Sequence, residues 1–461
     1  MGTMAKPMSK RGFKQVPIQR GLVGMAMAGA AMAMVAAPTA TVFAQSSPAQ
    51  MATGTPVANL RIALSELLGA HAVLAQLTMQ AGYSGSPDYS QLAAQLTNNT
   101  TALSNAIAGI YGQAAGQQFN QMWTGHINDF VNYVVATKEH NSAGQQAALN
   151  ALAQYKTQFA AFMHSADPHI NATTLADSLQ VHITQLIATF NAYVAGNYTA
   201  MANDFVTAYD HMFMDGDYLA GAIEAQFPSK FGTTSPNTPA VNLVVTLDQL
   251  LGAHAVLAQM AMQDGYAGAP DFQAVAGVLT QNTTNLSNAI ASVYGAAAGQ
   301  QFNQMWTGHI NDFVNYVGAT KAGNSAGQNA AVAALEQYKT QFAAFLAGAD
   351  PYMNATTLAD SLQVHVNQLL ATFNAYVAQN YSSTESDFVT AYEHMFMDGA
   401  YLGTAIVEQY PAKFGVSMVS GATSPTTGLP LLPAVALGAG LALAGVGFLM
   451  RRQRPDGGPL A

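Results

Sequence analysis

Nineteen residues, GQQFNQMWTGHINDFVNYV, run from Gly116 to Val134 and return unchanged from Gly299 to Val317. Four histidine pairs fix the spacing of this duplication. His71 pairs with His254, His126 with His309, His182 with His365 and His211 with His394, each 183 residues apart (254−71, 309−126, 365−182, 394−211). A constant offset leaves no net insertion between these points, and a unit of that size is a domain rather than one turn of a solenoid. Two copies of one unit are expected, over residues 57–231 and 240–414, joined by a Pro- and Thr-rich linker over 232–239.

Inside a copy, apolar residues recur at three- and four-residue spacing near 57–82, 88–111, 114–138, 142–164, 172–195 and 199–226. Gly, Pro, Asn and Asp clusters break the pattern between them, Asp88 is placed to cap the second helix, and Asn171 or Thr173 the fifth. Strand-like alternation is absent. The expected fold class is all-α: two tandem antiparallel helical bundles of about six helices each, with a C-terminal transmembrane helix added.

The ends give the cellular address. Lys6, Lys10, Arg11, Lys14 and Arg20 precede an apolar run from Gly21 to Ala37, and Val42-Phe43-Ala44 supplies the small residues of a cleavage site, so residues 1–44 read as a secretory signal peptide. Residues 415–428 are rich in Ser, Thr, Gly and Pro and read as a flexible stalk. Leu429 to Met450 carries no charge and, as a helix, rises about 33 Å, enough to cross a bilayer. Arg451, Arg452 and Arg454 then place the tail, 451–461, in the cytoplasm. The expectation is a single-pass protein of the cell membrane with its ectodomain outside, the membrane being the partner of the last helix.

Composition narrows the chemistry. Only 8% of residues are charged, against about 25% in an ordinary protein, and the polar faces are built from amides and hydroxyls. The net charge is −9, and basic residues cluster only at the termini, so a nucleic-acid partner is not expected. Cysteine is absent, which excludes disulfides, thiolate metal sites, iron–sulfur clusters and covalently attached haem. No Gly-x-Ser-x-Gly, phosphate loop or HExxH supports an enzyme.

The histidines carry the functional reading. His71 follows Leu60, Leu64 and Leu67 on one apolar stripe; His126 sits among Phe119, Trp123 and Phe130; His182 lies between Leu179 and Leu186. His211 falls beside its stripe, near Asp215. His140, His164 and His169 are replaced in the second copy by Gly323, Ala347 and Tyr352, so that copy keeps only the four helical histidines. Four imidazoles at one depth of a bundle are expensive to bury unless something takes their lone pairs. His71, His126, His182 and His211, with His254, His309, His365 and His394, are therefore candidate metal ligands, one site per bundle. Imidazole suits zinc or copper, and Met122, Met212 and Met214, repeated as Met305, Met395 and Met397, would favour copper if a thioether faced inward. Asp129 and Asp215 share a helical face with a histidine, and direct ligand, outer partner and solvated charge are all open for them. Binding, storage or sensing of the metal are all open. Two alternatives stand beside this reading: b-type haem held by two of the histidines, and a cofactor-free surface module whose histidines are core polar groups.

The strings AYDHMFMDGDYLAGAIEAQFPSKF and AYEHMFMDGAYLGTAIVEQYPAKF, together with LLGAHAVLAQ, SNAIAGIYG, GHINDF, ADP and LQVH, resemble an uncharacterised bacterial family of exported helical bundles. The resemblance implies an all-helical fold with a histidine on the first, third, fifth and sixth helices, and brings no activity with it. Family members often place Glu before these histidines, whereas here Ala70, Gly125 and Val181 stand there and only Asp210 is acidic.

Overall fold

Thr55 opens the first long helix: its hydroxyl accepts from the Ala58 amide and Pro56 follows with its φ already helical. Gly85 closes that helix in the left-handed conformation at φ 74°. The computed structural model describes residues 47–417, and every regular element among them is helical. A short α1 (Pro48–Thr53) precedes α2 (Pro56–Ser84), α3 (Tyr89–Tyr111), α4 (Gln113–Lys138), α5 (Ser142–Ala166), α6 (Ala172–Val194) and α7 (Tyr198–Gln226). After the one-turn α8 (Pro228–Phe231) come α9 (Pro239–Ala267), α10 (Phe272–Tyr294), α11 (Ala296–Lys321), α12 (Ser325–Ala349), α13 (Ala355–Val377) and α14 (Tyr381–Gln409), then a 3₁₀ turn. The six long helices of the two halves have the same lengths in the same order: 29, 23, 26, 25, 23 and 29 residues. The expected signal peptide and C-terminal membrane helix lie outside the described residues.

Successive helices pack on one another, and α7 returns to α2 to close the ring; α2 also touches α4 and α6, so it runs through the middle of its half. The second half repeats this with α9 at its centre. Both central helices, α2 and α9, are long and apolar enough to cross a membrane, but 67% and 72% of their most apolar windows are buried inside the protein. Their hydrophobicity is explained by their place in the bundle. Asn171 caps α6 as expected, accepting from the Thr174 amide. Asp88 does not cap α3: its backbone is already right-handed helical (φ −82°, ψ −10°), which turns the carboxylate away from the first-turn amides.

The two halves share a core. Tyr209, Phe213, Val241, Val245, Tyr392 and Phe396 belong to one buried cluster. Its contacts are reciprocal. The Tyr209 hydroxyl donates to the Gln249 carbonyl at 3.3 Å, and the Tyr392 hydroxyl donates to the Glu66 carbonyl at 3.1 Å. Glycine makes this approach possible: a Cβ added at Gly69 would stand 2.6 Å from the Tyr392 hydroxyl, and one at Gly252 would stand 2.6 Å from that of Tyr209. The segments ahead of α2 and α9 cross over likewise. Thr53 meets Thr404 of α14 hydroxyl to hydroxyl at 3.0 Å, while Pro236 lies against Gly221 of α7. Buried Arg61 pins the connection, donating to the Pro236 carbonyl and to Asn242 and pairing with Asp217 at 3.2 Å.

Candidate metal centre

His71, His126 and His182 project from α2, α4 and α6, the central helix and two of its neighbours, and all three are buried. One ring nitrogen from each lies within 4.8 Å of the other two. His254, His309 and His365 form the same group on α9, α11 and α13. The Nε2 atoms of His71 and His126 are 3.3 Å apart, and those of His254 and His309 are 3.4 Å apart. Two ligands of a tetrahedral ion with bonds of about 2.0–2.1 Å stand about 3.3 Å apart, so this pair already has the required separation. His182 completes the group with its ring centroid 5.6 Å from that of His71.

Aromatic side chains wall the three rings. Trp123 stands 4.7 Å from both His71 and His126 between centroids, and Tyr155 of α5 stacks on His126 at 4.5 Å. Burial first, and then the neighbouring imidazoles, hold the pKa of His71, His126 and His182 well below the ordinary histidine value. His309 is pushed down to about 3 for the same reasons. All are neutral at physiological pH, and a neutral imidazole has one lone pair to offer.

The hydrogen bonds of the first half take up the lone pairs of His71 and His126 and leave that of His182 free. In the first half the Trp123 indole N–H donates to His71 Nδ1 at 3.3 Å. Neutral His71 then carries its proton on Nε2 and donates toward His126 Nε2, which places the His126 proton on Nδ1. That chain ends on nothing: His126 Nδ1 and both nitrogens of His182 are buried without a partner. In the second half the nitrogens without a partner are Trp306 Nε1, His254 Nδ1, His309 Nδ1 and both of His365. Each such group left unsatisfied costs about 1–3 kcal/mol.

The fourth histidine of each set takes a different part. His211 Nε2 lies 3.2 Å from Ser178 Oγ, 3.1 Å from the Ser178 carbonyl and 3.6 Å from the Asp215 carboxylate, and Ser178 Oγ donates to that carboxylate as well. His394, Ser361 and Asp398 repeat the arrangement. The offset that put His211 beside its stripe in the sequence keeps it out of the three-ring group. Its nearness adds to the lowering of the His182 pKa, after burial and His71. Of the candidate methionines, Met214 and Met397 are 63% and 47% exposed, Met212 packs in the core, and Met395 lines a cavity together with His365. Asp129 is only half-buried.

Two cavities approach the second group. One of about 40 Å³ is lined by Trp306, Ser361, His365 and Asp398 among apolar residues. A larger one of about 170 Å³ reaches His254 from another direction. Sequence reasoning gave no sign of either, because a cavity depends on which side chains are missing between helices.

No protein-family model, curated protein or solved structure matches this chain.

What the site can do is therefore read from its own atoms. Three neutral imidazoles can hold a borderline or soft cation and leave a fourth position open.

Proposed function

We propose that the chain is an exported, membrane-tethered metal-binding protein with one three-histidine site in each half. The ligands are His71, His126 and His182 in the first half and His254, His309 and His365 in the second. The observation that carries this is the set of partnerless nitrogens on His182 and His365, buried beside imidazoles already spaced as ligands of one ion. An ion supplies what the protein lacks there.

Copper and zinc both suit imidazole. Three neutral ligands leave the whole charge of the ion uncompensated, so monovalent copper costs less to bury than divalent zinc, which would recruit an anion or the carboxylate of Asp215 or Asp398. A b-type haem is a poorer fit. Its iron needs two opposed imidazoles across a flat slot, whereas His71 and His126 touch and Trp123 and Tyr155 fill the remaining space. The expected signal peptide and C-terminal helix would hold the two halves outside the cell, and the resemblance to exported helical bundles belongs to the same reading.

The test uses the purified full chain, loaded with zinc or with monovalent copper, dialysed and assayed for bound metal. About two equivalents per chain are expected, falling to one in His126→Ala or His309→Ala and to none in the double variant. A chain that retains no ion overturns the proposal and leaves the cofactor-free module; a folded double variant that still holds two overturns it by placing the ions elsewhere.

A further inference from the structure

The larger cavity lies between α9, α10 and α11. His254 closes its buried end, Ala258, Ala261, Met262 and Leu279 form its walls, and Val314, Gly318 and Lys321 stand at the exposed end. The Lys321 ammonium donates to the Gly265 carbonyl at 3.2 Å, both residues belonging to the lining, and the other lining side chains are hydrocarbon up to the imidazole. An enclosed apolar cavity of about 150 Å³ takes up benzene or xenon. This one, at about 170 Å³, is of that size.

The duplication supplies a control. Gly318 stands where the first half has Val135, and Ala261 where it has Thr78. A Cβ built on Gly318 meets nothing within 4 Å, so the position is open for want of a side chain rather than by backbone necessity. Val135 adds three carbons at the corresponding mouth, and Thr78 adds a hydroxyl to the corresponding wall.

We propose that the second half binds a small, uncharged, apolar molecule, no larger than benzene and including dissolved gases such as dioxygen, in the cavity that ends on His254. The uptake itself needs no metal; only its purpose, bringing the molecule to the open position of a three-histidine ion, rests on the proposed function. The two halves then differ in task. The first carries Val135 and Thr78 at the corresponding positions, and the second admits a guest.

The experiment is a titration of the chelator-treated full chain, labelled with ¹³C at the methionine methyls, with benzene. Met262 lines the cavity and Met79 is its counterpart in the first half. The Met262 signal is expected to shift saturably and the Met79 signal to stay in place. Ala261→Leu, which fills the cavity, should weaken binding on the order of tenfold. Gly318→Val, which reproduces the first-half mouth and has room to fold, should slow exchange at Met262. An unmoved Met262, a parallel shift of both methionines, or full binding by folded Ala261→Leu would each overturn the proposal. Because no metal is present, failure here is distinct from failure to load zinc or copper: a metal-binding chain with a silent Met262 has the ions and no guest, while a saturable Met262 in a chain that holds no ion has the guest alone.

Discussion

The indole N–H of Trp123 lies 3.3 Å from Nδ1 of His71, and this contact sets the proton on the far side of the imidazole, where an ion would need a lone pair. Metal binding through His71 Nε2 must move that proton to Nδ1 and give up the Trp123 bond. Trp123→Phe should thus bind metal more tightly in the first half, by about fivefold for the ~1 kcal/mol of a neutral hydrogen bond, while lowering the melting temperature through lost packing. Trp306 makes no such bond, so Trp306→Phe should leave the second site's affinity unchanged. Competition titrations against a chromophoric chelator read both. A weaker first site in Trp123→Phe would show that the indole supports the ion.

His182 offers a sharper contrast between the forms with and without metal. Both of its nitrogens are buried and bonded to nothing, so His182→Leu removes a liability from the metal-free chain. Chemical denaturation of the chelator-treated variant should show it more stable than the parent by about 1–3 kcal/mol. The same variant should lose the first-half ion. A variant destabilised without metal would mean that the ring has partners in solution.

Stability should peak near pH 6 in metal-free protein. The folded pKa of His71, His126, His182, His254 and His365 is depressed, and that of His309 is about 3. The unfolded chain therefore binds more protons as pH falls below 6.5, and stability is lost from there downward. Carboxylates act in the opposite direction. Burial, with Glu393 nearby, raises Glu66 to about 8; burial, beside Asp271 and Asp88 respectively, raises Asp264 and Glu385 to about 8 as well. These acids stay protonated in the folded chain after the unfolded chain has released its protons, so stability also falls as pH rises from about 4.5 to 8. Melting temperatures across pH 4 to 9 test this; a monotonic profile would remove either the histidines or the acids from the account.

Gly69→Ala should cost about 1–3 kcal/mol, because the new methyl meets the Tyr392 hydroxyl across the boundary between halves. Tyr392→Phe takes away the atom it strikes. The double variant should recover part of the loss, giving a coupling energy of at least ~0.5 kcal/mol in a double-mutant cycle. Additive effects would show that the two positions are not in contact.

Much of this architecture can be read along the chain, and the unread part has a common cause. Periodicity placed helices near 57–82 and 172–195, and they run Pro56–Ser84 and Ala172–Val194, because a stripe with a 3.6-residue period has only one way to be buried. The same stripes located His71, His126 and His182 in the core. His211 shared their burial but not their company, since Ser178 and Asp215, on α6 and one turn along α7, claim its Nε2. The shared core of the two halves left no such mark. Gly69 reads like any helical glycine until Tyr392, 323 positions later (392−69), is seen filling its notch. Contacts between distant segments are absent from local spacing.

That notch and its occupant recur in mirrored roles, Gly69 receiving Tyr392 and Gly252 receiving Tyr209. Each half thus carries both socket and plug on one surface, the arrangement by which identical subunits pair about a twofold axis. A separate copy of either half would be equipped to dimerise through this face. Fusing two copies in one chain makes the encounter intramolecular, so the pairing no longer depends on concentration and each half is free to diverge from its twin.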